Sequence, residues 1–202
     1  MFNGSESMCW KCGVVIYPFA RTVDPRQIHC HRCEAQAFDA ARACGIYEVA
    51  LRQAILRLKR LPHLSNYLVS FLSNVAKSPP MNEATRIIPV PLHPERQRQR
   101  GFNQAAVIAR AIGPALRVVV DEATLIRVTA AKKYRAGLDQ KGRFESVADA
   151  FKVRFPSVVS NEVVLLVDDV LTTGATASSC ALTLKEAGAR AVVVLTLARQ
   201  AN

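Results

Sequence analysis

The chain changes its hydrophobic rhythm near residue 86. Before that point, "YEVALRQAILRLKRLPHL" sets Val49, Leu51, Ala54, Ile55 and Leu58 at helical spacing, with Arg52, Arg57, Lys59 and Arg60 largely opposite. This predicts an amphipathic helix ended by Pro62. "LSNYLVSFLSNVAK" predicts a second helix with Ser65 as a possible cap, and "KSPPMNEAT" a loop. From residue 86 onward, short aliphatic runs alternate with helical stretches. "RIIPVPL", "LRVVVD", "EATLIRV", "VVLLVDD" and "RAVVVLTLA" read as strands; "FNQAAVIARAIG", stopped by Gly113, and "ATASSCALTLKEAG", stopped by Gly188, read as helices. Alternation of this kind predicts an α/β fold whose mostly parallel sheet is flanked by helices. The unbroken run Val163 to Val167 is the pattern of a strand buried on both faces.

The first 33 residues follow neither rhythm. "CWKC" and "CHRC" repeat a C-x-x-C pair after 17 intervening residues, the spacing of a four-thiolate zinc site with Cys9, Cys12, Cys30 and Cys33 as ligands. Two disulfides or a redox pair are the alternative, one that a reducing cytosol disfavours for structural use. His29 and His31 lie beside the second pair, but four cysteines already fill a tetrahedron. Cys44 and Cys180 have no partner pattern and read as small core residues. The expected organisation is a zinc ribbon over 1–44 and an α/β domain over 45–202 that includes a helical segment, 45–78. A ribbon this poor in apolar residues is expected to fold only with metal. Its Lys11, Arg21, Arg26 and Arg32 also permit nucleic-acid contact.

Composition narrows the partners. The 202 residues are 50% hydrophobic, enough for a core of about one domain, and carry a formal charge of +11. Residues 86–143 hold 12 Lys and Arg against 4 Asp and Glu, a concentration that favours a polyanionic partner, either a phosphorylated small molecule or nucleic acid. The opening "MFNGSESMCWKC" lacks the pattern of a secretory signal, and no apolar run approaches the roughly 18 residues of a membrane helix, so a cytoplasmic protein without membrane insertion is expected.

"VLLVDDVLTTGAT" carries the clearest chemistry. A strand would deliver Asp168 and Asp169 to the end of the sheet, where ligands of such folds bind. The following turn, Thr172, Thr173, Gly174, Ala175 and Thr176, opens a helix whose first N–H groups have no intrahelical acceptor and favour an anion. Gly174 lets the backbone turn sharply. The carboxylates can accept hydrogen bonds from vicinal hydroxyls, so the pattern describes a ribose 5-phosphate site; the alternative is a strand–turn–helix connection with a Thr cap.

This stretch resembles the phosphoribosyl pyrophosphate loop of type I phosphoribosyltransferases, and the chain as a whole resembles the ComF family within that class. "IIPVPLHPERQRQRGFNQA", "GLDQKGRF", the terminal "TLAR" and the four-cysteine ribbon match that family's layout. The resemblance implies a type I phosphoribosyltransferase-like sheet, with Asp168 and Asp169 on the ribose hydroxyls and the threonine–glycine turn on the 5-phosphate. It implies a pyrophosphate loop at Pro91, Leu92 and His93, with Arg96, Arg98 and Arg100 supplying charge, and Mg2+ bridging substrate oxygens. Lys132, Lys133, Arg135 and Arg143 occupy the place of a mobile catalytic loop, or an exposed basic loop. ComF-like chains often carry a Gln before "GL" and an Asn soon after the Arg; here those places hold Tyr134 or Arg135, and Ser146.

The implied activity is transfer of the phosphoribosyl group to a nitrogenous acceptor that no residue spacing identifies. The implied setting is natural competence and DNA uptake, with single-stranded DNA and competence proteins such as a helicase or recombination mediator as candidate partners. Because the superfamily includes members that only bind the sugar phosphate, a ligand-sensing DNA-binding or adaptor module is the alternative to an enzyme.

Overall fold

The computed structural model describes residues 7–16, 24–128 and 150–201. Two short strands, β1 (Ser7–Met8) and β2 (Val15–Ile16), pair antiparallel and frame the first cysteine knuckle. The main sheet contains β3 (Ala40–Ile46), β4 (Arg86–Pro89), β5 (Val119–Val120), β8 (Val163–Leu171) and β9 (Ala191–Arg199), in the order β3-β9-β8-β4-β5. Every neighbouring pair is parallel. A separate antiparallel pair joins β6 (Leu125–Arg127) to β7 (Phe151–Val153).

Strand β8 shows why the sheet is buried on both sides. Val164 and Leu166 pack beneath the helix that follows β8, against Ala177, Cys180, Ala181 and Leu184. Leu165 and Val167 face the opposite layer, with Ile55, Leu58, Leu72, Ile108 and Ile112. Alternate residues of a strand point to opposite faces, so a run with no polar gap is what a sheet covered twice demands. The covering helices are α6 (Ala175–Glu186) on the first face and α1 (Val49–Leu58), α2 (Asn66–Ala76) and α4 (Gln104–Leu116) on the second. Two shorter helices, α3 (Pro94–Arg100) and α5 (Pro156–Val159), each begin with proline, whose fixed φ suits a first turn.

Several expected elements are found with altered bounds. Ser65 caps α2 by accepting a hydrogen bond from the Leu68 N–H at 3.4 Å. Helix α1 buries Ile55 and Leu58 completely and packs Leu51 partly against the core, but leaves Val49 82% exposed, so the apolar stripe does not include its first residue. Helix α4 does not stop at Gly113: it runs to Leu116 with Pro114 inside, and Arg117 closes it in the left-handed region at φ 58°. Gly188, at φ 100°, does follow the end of α6. Strand β3 is an addition; it crosses residue 44, where the sequence suggested a boundary, and its edge position lets it read as the weakly patterned "AARACGI". Cys44 and Cys180 are both buried core residues.

Strands β4 and β8 are adjacent, yet their connections diverge: β4 leads outward to β5, and β8 leads the opposite way to β9. The carboxyl ends of β4 and β8 therefore open a crevice at the topological switch point, where open parallel sheets bind ligands. Among the described residues, no helix is long and apolar enough to cross a membrane.

Candidate functional site

The two acids lie within β8, in register with the ends of its neighbours: Asp168 is opposite Thr196 of β9, and Val167 opposite Pro89 of β4. They meet different surroundings. Asp169 is buried, and its Oδ2 pairs with Lys59 Nζ at 2.9 Å, a lysine held at the end of α1. Asp168 is half-buried and accepts the Asp169 N–H on Oδ1 at 2.8 Å. Burial first, then the like charge of Asp169, pushes its pKa from the ordinary carboxyl value up to about 8, with Lys59 acting in the opposite direction.

Beyond Asp168 the chain forms the threonine–glycine turn. Gly174 stands at φ 81°, in the left-handed region, and serves as the N-cap of α6. The Ala175 N–H approaches Thr173 Oγ1 at 3.4 Å, while those of Thr176 and Ala177 belong to a first helical turn, which has no intrahelical acceptors. Asp168, Leu171, Thr172, Gly174, Thr176 and Thr196 line one small recess. Of the residues singled out in this stretch, Asp168, Thr172, Gly174 and Thr176 share this recess, while the Asp169 side chain turns to Lys59 instead. An anion there meets unpaired N–H groups and a helix N-terminus, and a hydroxyl beside it meets a carboxyl group.

The segment after β4 lies on the other side of the crevice. The Val90 N–H bonds to Val167 O at 2.8 Å, and Pro91, Leu92 and His93 continue from there beyond the end of β4. His93 caps α3 by accepting the Glu95 N–H on Nδ1 at 3.3 Å. Arg96 and Arg98 are exposed on this helix; Arg100 is half-buried and donates to Gln104 Oε1. Asn103, which sequence reasoning missed, ties the connection together: its Nδ2 donates to Val90 O at 2.9 Å, and its Oδ1 accepts the Ala105 N–H at 3.0 Å. Lys132, Lys133, Arg135 and Arg143 lie outside the described residues.

Arg127, at the end of β6, was also missed as a site residue. Its guanidinium lies 5.3 Å from the Phe151 ring centre, and its Nε is buried without a hydrogen-bond partner among the described residues. Burial lowers its pKa, and Arg96 and Asp168 are both within its electrostatic reach. Neither Lys59 nor Arg127 has a local sequence signal; each is one cation in a basic stretch.

The four ribbon cysteines converge. Their sulfurs all lie within 4.8 Å of one another, with Cys9–Cys33 at 3.6 Å and both Cys12–Cys30 and Cys30–Cys33 at 3.5 Å. A tetrahedron with metal–sulfur bonds of about 2.3 Å has edges of about 3.8 Å, so the donor set fits a four-thiolate metal site. Cys9 Sγ also accepts the N–H groups of Cys12 at 3.5 Å and Cys30 at 3.3 Å. Hydrogen bonding from the Cys12 side chain, with these N–H groups, brings the Cys9 thiol down to about 4. The bond to Cys9 and burial push Cys12 upward, and burial pushes Cys33 up to about 12. Four packed sulfurs cannot all ionise together without a cation.

The ribbon is bonded to the sheet. The Ala41 N–H of edge strand β3 donates to Lys11 O at 2.6 Å, Arg42 Nη1 to Trp10 O at 2.8 Å, and buried Arg199 Nη1 to Cys12 O at 2.7 Å. The knuckle thereby covers part of an edge that would otherwise present unpaired backbone groups.

No family model matches the chain. It is similar to competence protein F of Haemophilus influenzae, at 29% identity over 203 aligned positions that cover 95% of this chain and 84% of that protein. Proteins named for competence are thus among the chain's homologues. Other relatives include competence protein ComFC of Streptococcus pneumoniae, at 30% identity across 67% of this chain and 56% of that one, and DNA utilization protein YhgH of Escherichia coli, at 31% across 67% and 59%. The chain thus matches less than two thirds of the length of these two relatives.

Solved structures similar to this chain include a Bacillus subtilis glutamine phosphoribosylpyrophosphate amidotransferase (22% identity, 64% of this chain and 25% of that one, TM-score 0.43). A purine phosphoribosyltransferase from Pyrococcus horikoshii is another (14% identity, 66% and 72%, TM-score 0.40).

Proposed function

We propose that this protein is a member of the ComF family that binds phosphoribosyl pyrophosphate in the crevice between β4 and β8 and serves DNA uptake and handling. The observation that carries the reading is the recess in which Asp168 faces the left-handed Gly174 turn at the head of α6. The 5-phosphate rests on the N–H groups and hydroxyls of residues 172–176; the ribose hydroxyls lie toward Asp168 and Asp169. Pyrophosphate lies toward Pro91–His93, with Arg96, Arg98 and Arg100 on that side and Arg127 between the two ends. Lys132, Lys133, Arg135 and Arg143 are the further cations assigned to that side.

Mg2+, which favours oxygen donors and substrate phosphates, would neutralise the pyrophosphate oxygens, and Asp168, which lines the recess, offers it a carboxylate oxygen. In transfer, the bond from the anomeric carbon to pyrophosphate breaks, the leaving group keeps the electron pair, and an acceptor nitrogen forms the new bond. The carboxylates suit the positive charge that develops on the sugar. Zinc is the metal assigned to the four cysteines, in a structural role, and a reducing cytoplasm is the compartment that suits these unpaired thiols.

The test is calorimetric titration of the zinc-loaded protein with phosphoribosyl pyrophosphate and Mg2+, beside the double variant Asp168→Asn/Asp169→Asn. Binding by the parent and its loss in a folded variant is the expected result; a folded parent that does not bind overturns the reading. A second reading, a binding module for single-stranded DNA or a competence protein, draws on the exposed Arg52, Arg57, Arg60, Arg96 and Arg98. It predicts DNA affinity that falls steeply with salt and no pyrophosphate release with any nitrogenous acceptor.

A further inference from the structure

The segment that leaves the ribbon does not simply span the gap to β3. Three residues after the last cysteine, the Gln36 N–H donates to Cys33 O at 3.1 Å. The Gln36 side chain, buried, then donates from Nε2 to Thr173 O at 3.0 Å, inside the turn assigned to the 5-phosphate. A Cβ on Gly174 would stand 2.9 Å from Gln36 Oε1, so the amide lies directly against that glycine. The next residue adds a second tie, with the Ala37 N–H donating to Ser178 Oγ at 2.8 Å in the first turns of α6. Phe38 is buried against the α6 face of the sheet, and Asp39 pairs with Lys185 at 2.7 Å near the other end of the helix. Residues 36–39 therefore fasten the helix that carries the turn, at both of its ends, to the chain emerging from the metal site.

We infer that Gln36 is a positioning residue for the phosphate turn, through which metal binding in the ribbon and ligand binding at the sheet are coupled. The site role rests on the phosphoribosyl reading above; the mechanical link does not. A metal that orders Cys33 fixes the start of the 34–39 segment, and Gln36 then holds the Thr173 carbonyl and limits the conformations open to Gly174. Without the metal the same hydrogen bond must order the ribbon's end as well as the turn, and the turn loosens. Linkage makes the effect reciprocal: a ligand seated on the turn must tighten metal binding by the factor by which the metal tightens ligand binding.

The experiment uses the full chain loaded with zinc, and follows amide hydrogen exchange in the peptide covering residues 170–178. Gln36→Met removes the amide while keeping the bulk. Removing zinc with a chelator, or making Gln36→Met, should raise exchange at the turn by about two- to twelve-fold, the range of one lost hydrogen bond, and leave the core of β8 and β9 unchanged. Phosphoribosyl pyrophosphate with Mg2+ should slow zinc transfer to a chromophoric chelator in the parent and lose that effect in Gln36→Met, which a merely structural role would not produce. If Gln36→Met does not fold, Ser178→Ala cuts the second tie and should give the same pattern. Unchanged exchange at the turn after zinc removal and in the variants overturns the coupling, even if the ligand binds. Exchange that responds in a parent that does not bind the ligand upholds the link and overturns the phosphoribosyl reading alone.

Discussion

The connections that leave β4 and β8 are built from similar parts and end in different states. Each follows a parallel strand, each opens a helix, and each contains a glycine in the left-handed region, Gly101 at φ 80° and Gly174 at φ 81°. A Cβ on Gly101 would meet nothing within 4 Å, whereas one on Gly174 would press against three atoms of the Gln36 amide. The β8 turn is packed from beneath by a buried side chain and holds a half-buried acid. The β4 connection keeps Arg96 and Arg98 in solvent and is fixed mainly at Asn103. A group that must recognise a fixed shape benefits from a backbone that cannot move, while charges that only neutralise an anion can act from flexible side chains.

Replacing each glycine by asparagine is the sharpest way to break the comparison. Asn tolerates the left-handed region, so Gly101→Asn should lower stability by less than about 1 kcal/mol. Gly174→Asn must also displace Gln36, and should cost about 1–3 kcal/mol in thermal denaturation and at least about ten-fold in phosphoribosyl pyrophosphate affinity. Equal effects at the two positions would show that the crowding at Gly174 is immaterial.

A smaller effect is expected from pH. The desolvation of half-buried Asp168, and then the like charge of Asp169, push its pKa up to about 8 in the folded protein, against 3.8 for an ordinary Asp. The folded state therefore holds a proton that the unfolded state releases; this stabilising contribution is complete below about pH 4 and is lost as pH rises through about 8. Ribose hydroxyls donating to the pair favour the ionised form, opposed by Asp169 and aided by Lys59 and Arg127. Ligand affinity should accordingly rise several-fold between about pH 6 and 8 with proton release, read by calorimetry in buffers of different ionisation enthalpy. Affinity independent of pH would remove Asp168 from the contact.

The smallest change should come from the β4 side. Arg96→Ala/Arg98→Ala should leave stability within about 0.5 kcal/mol, since both side chains are exposed. It should weaken pyrophosphate-bearing ligands only a few-fold, with the difference shrinking as salt is raised. A loss as large as that of Gly174→Asn would mean that the exposed arginines, not the packed turn, set recognition.

Much of this was legible along the chain because it is local. The C-x-x-C pairs, the aliphatic run of β8 and the Asp–Asp–turn–helix sequence each put their chemistry within a few residues. Edge strand β3 was not legible, since pairing with β9 on one side and the ribbon on the other supplies what its own pattern lacks. The stop placed at Gly113 failed for a related reason: α4 packs against the sheet through Ile108 and Ile112, and that burial outweighs the low helix propensity of Gly and Pro.

The sequence by itself determined the cysteine quartet, the two-sided burial of the sheet and the order of acids, turn and helix, because hydrophobic period and residue spacing act over short distances. Only the tertiary structure decided that Lys59 engages Asp169, that Arg127 lies near Asp168 and that Gln36 lies under Gly174. These are meetings of residues 110, 41 and 138 positions apart, respectively. Strand order and helix packing bring them together, and no local pattern records that.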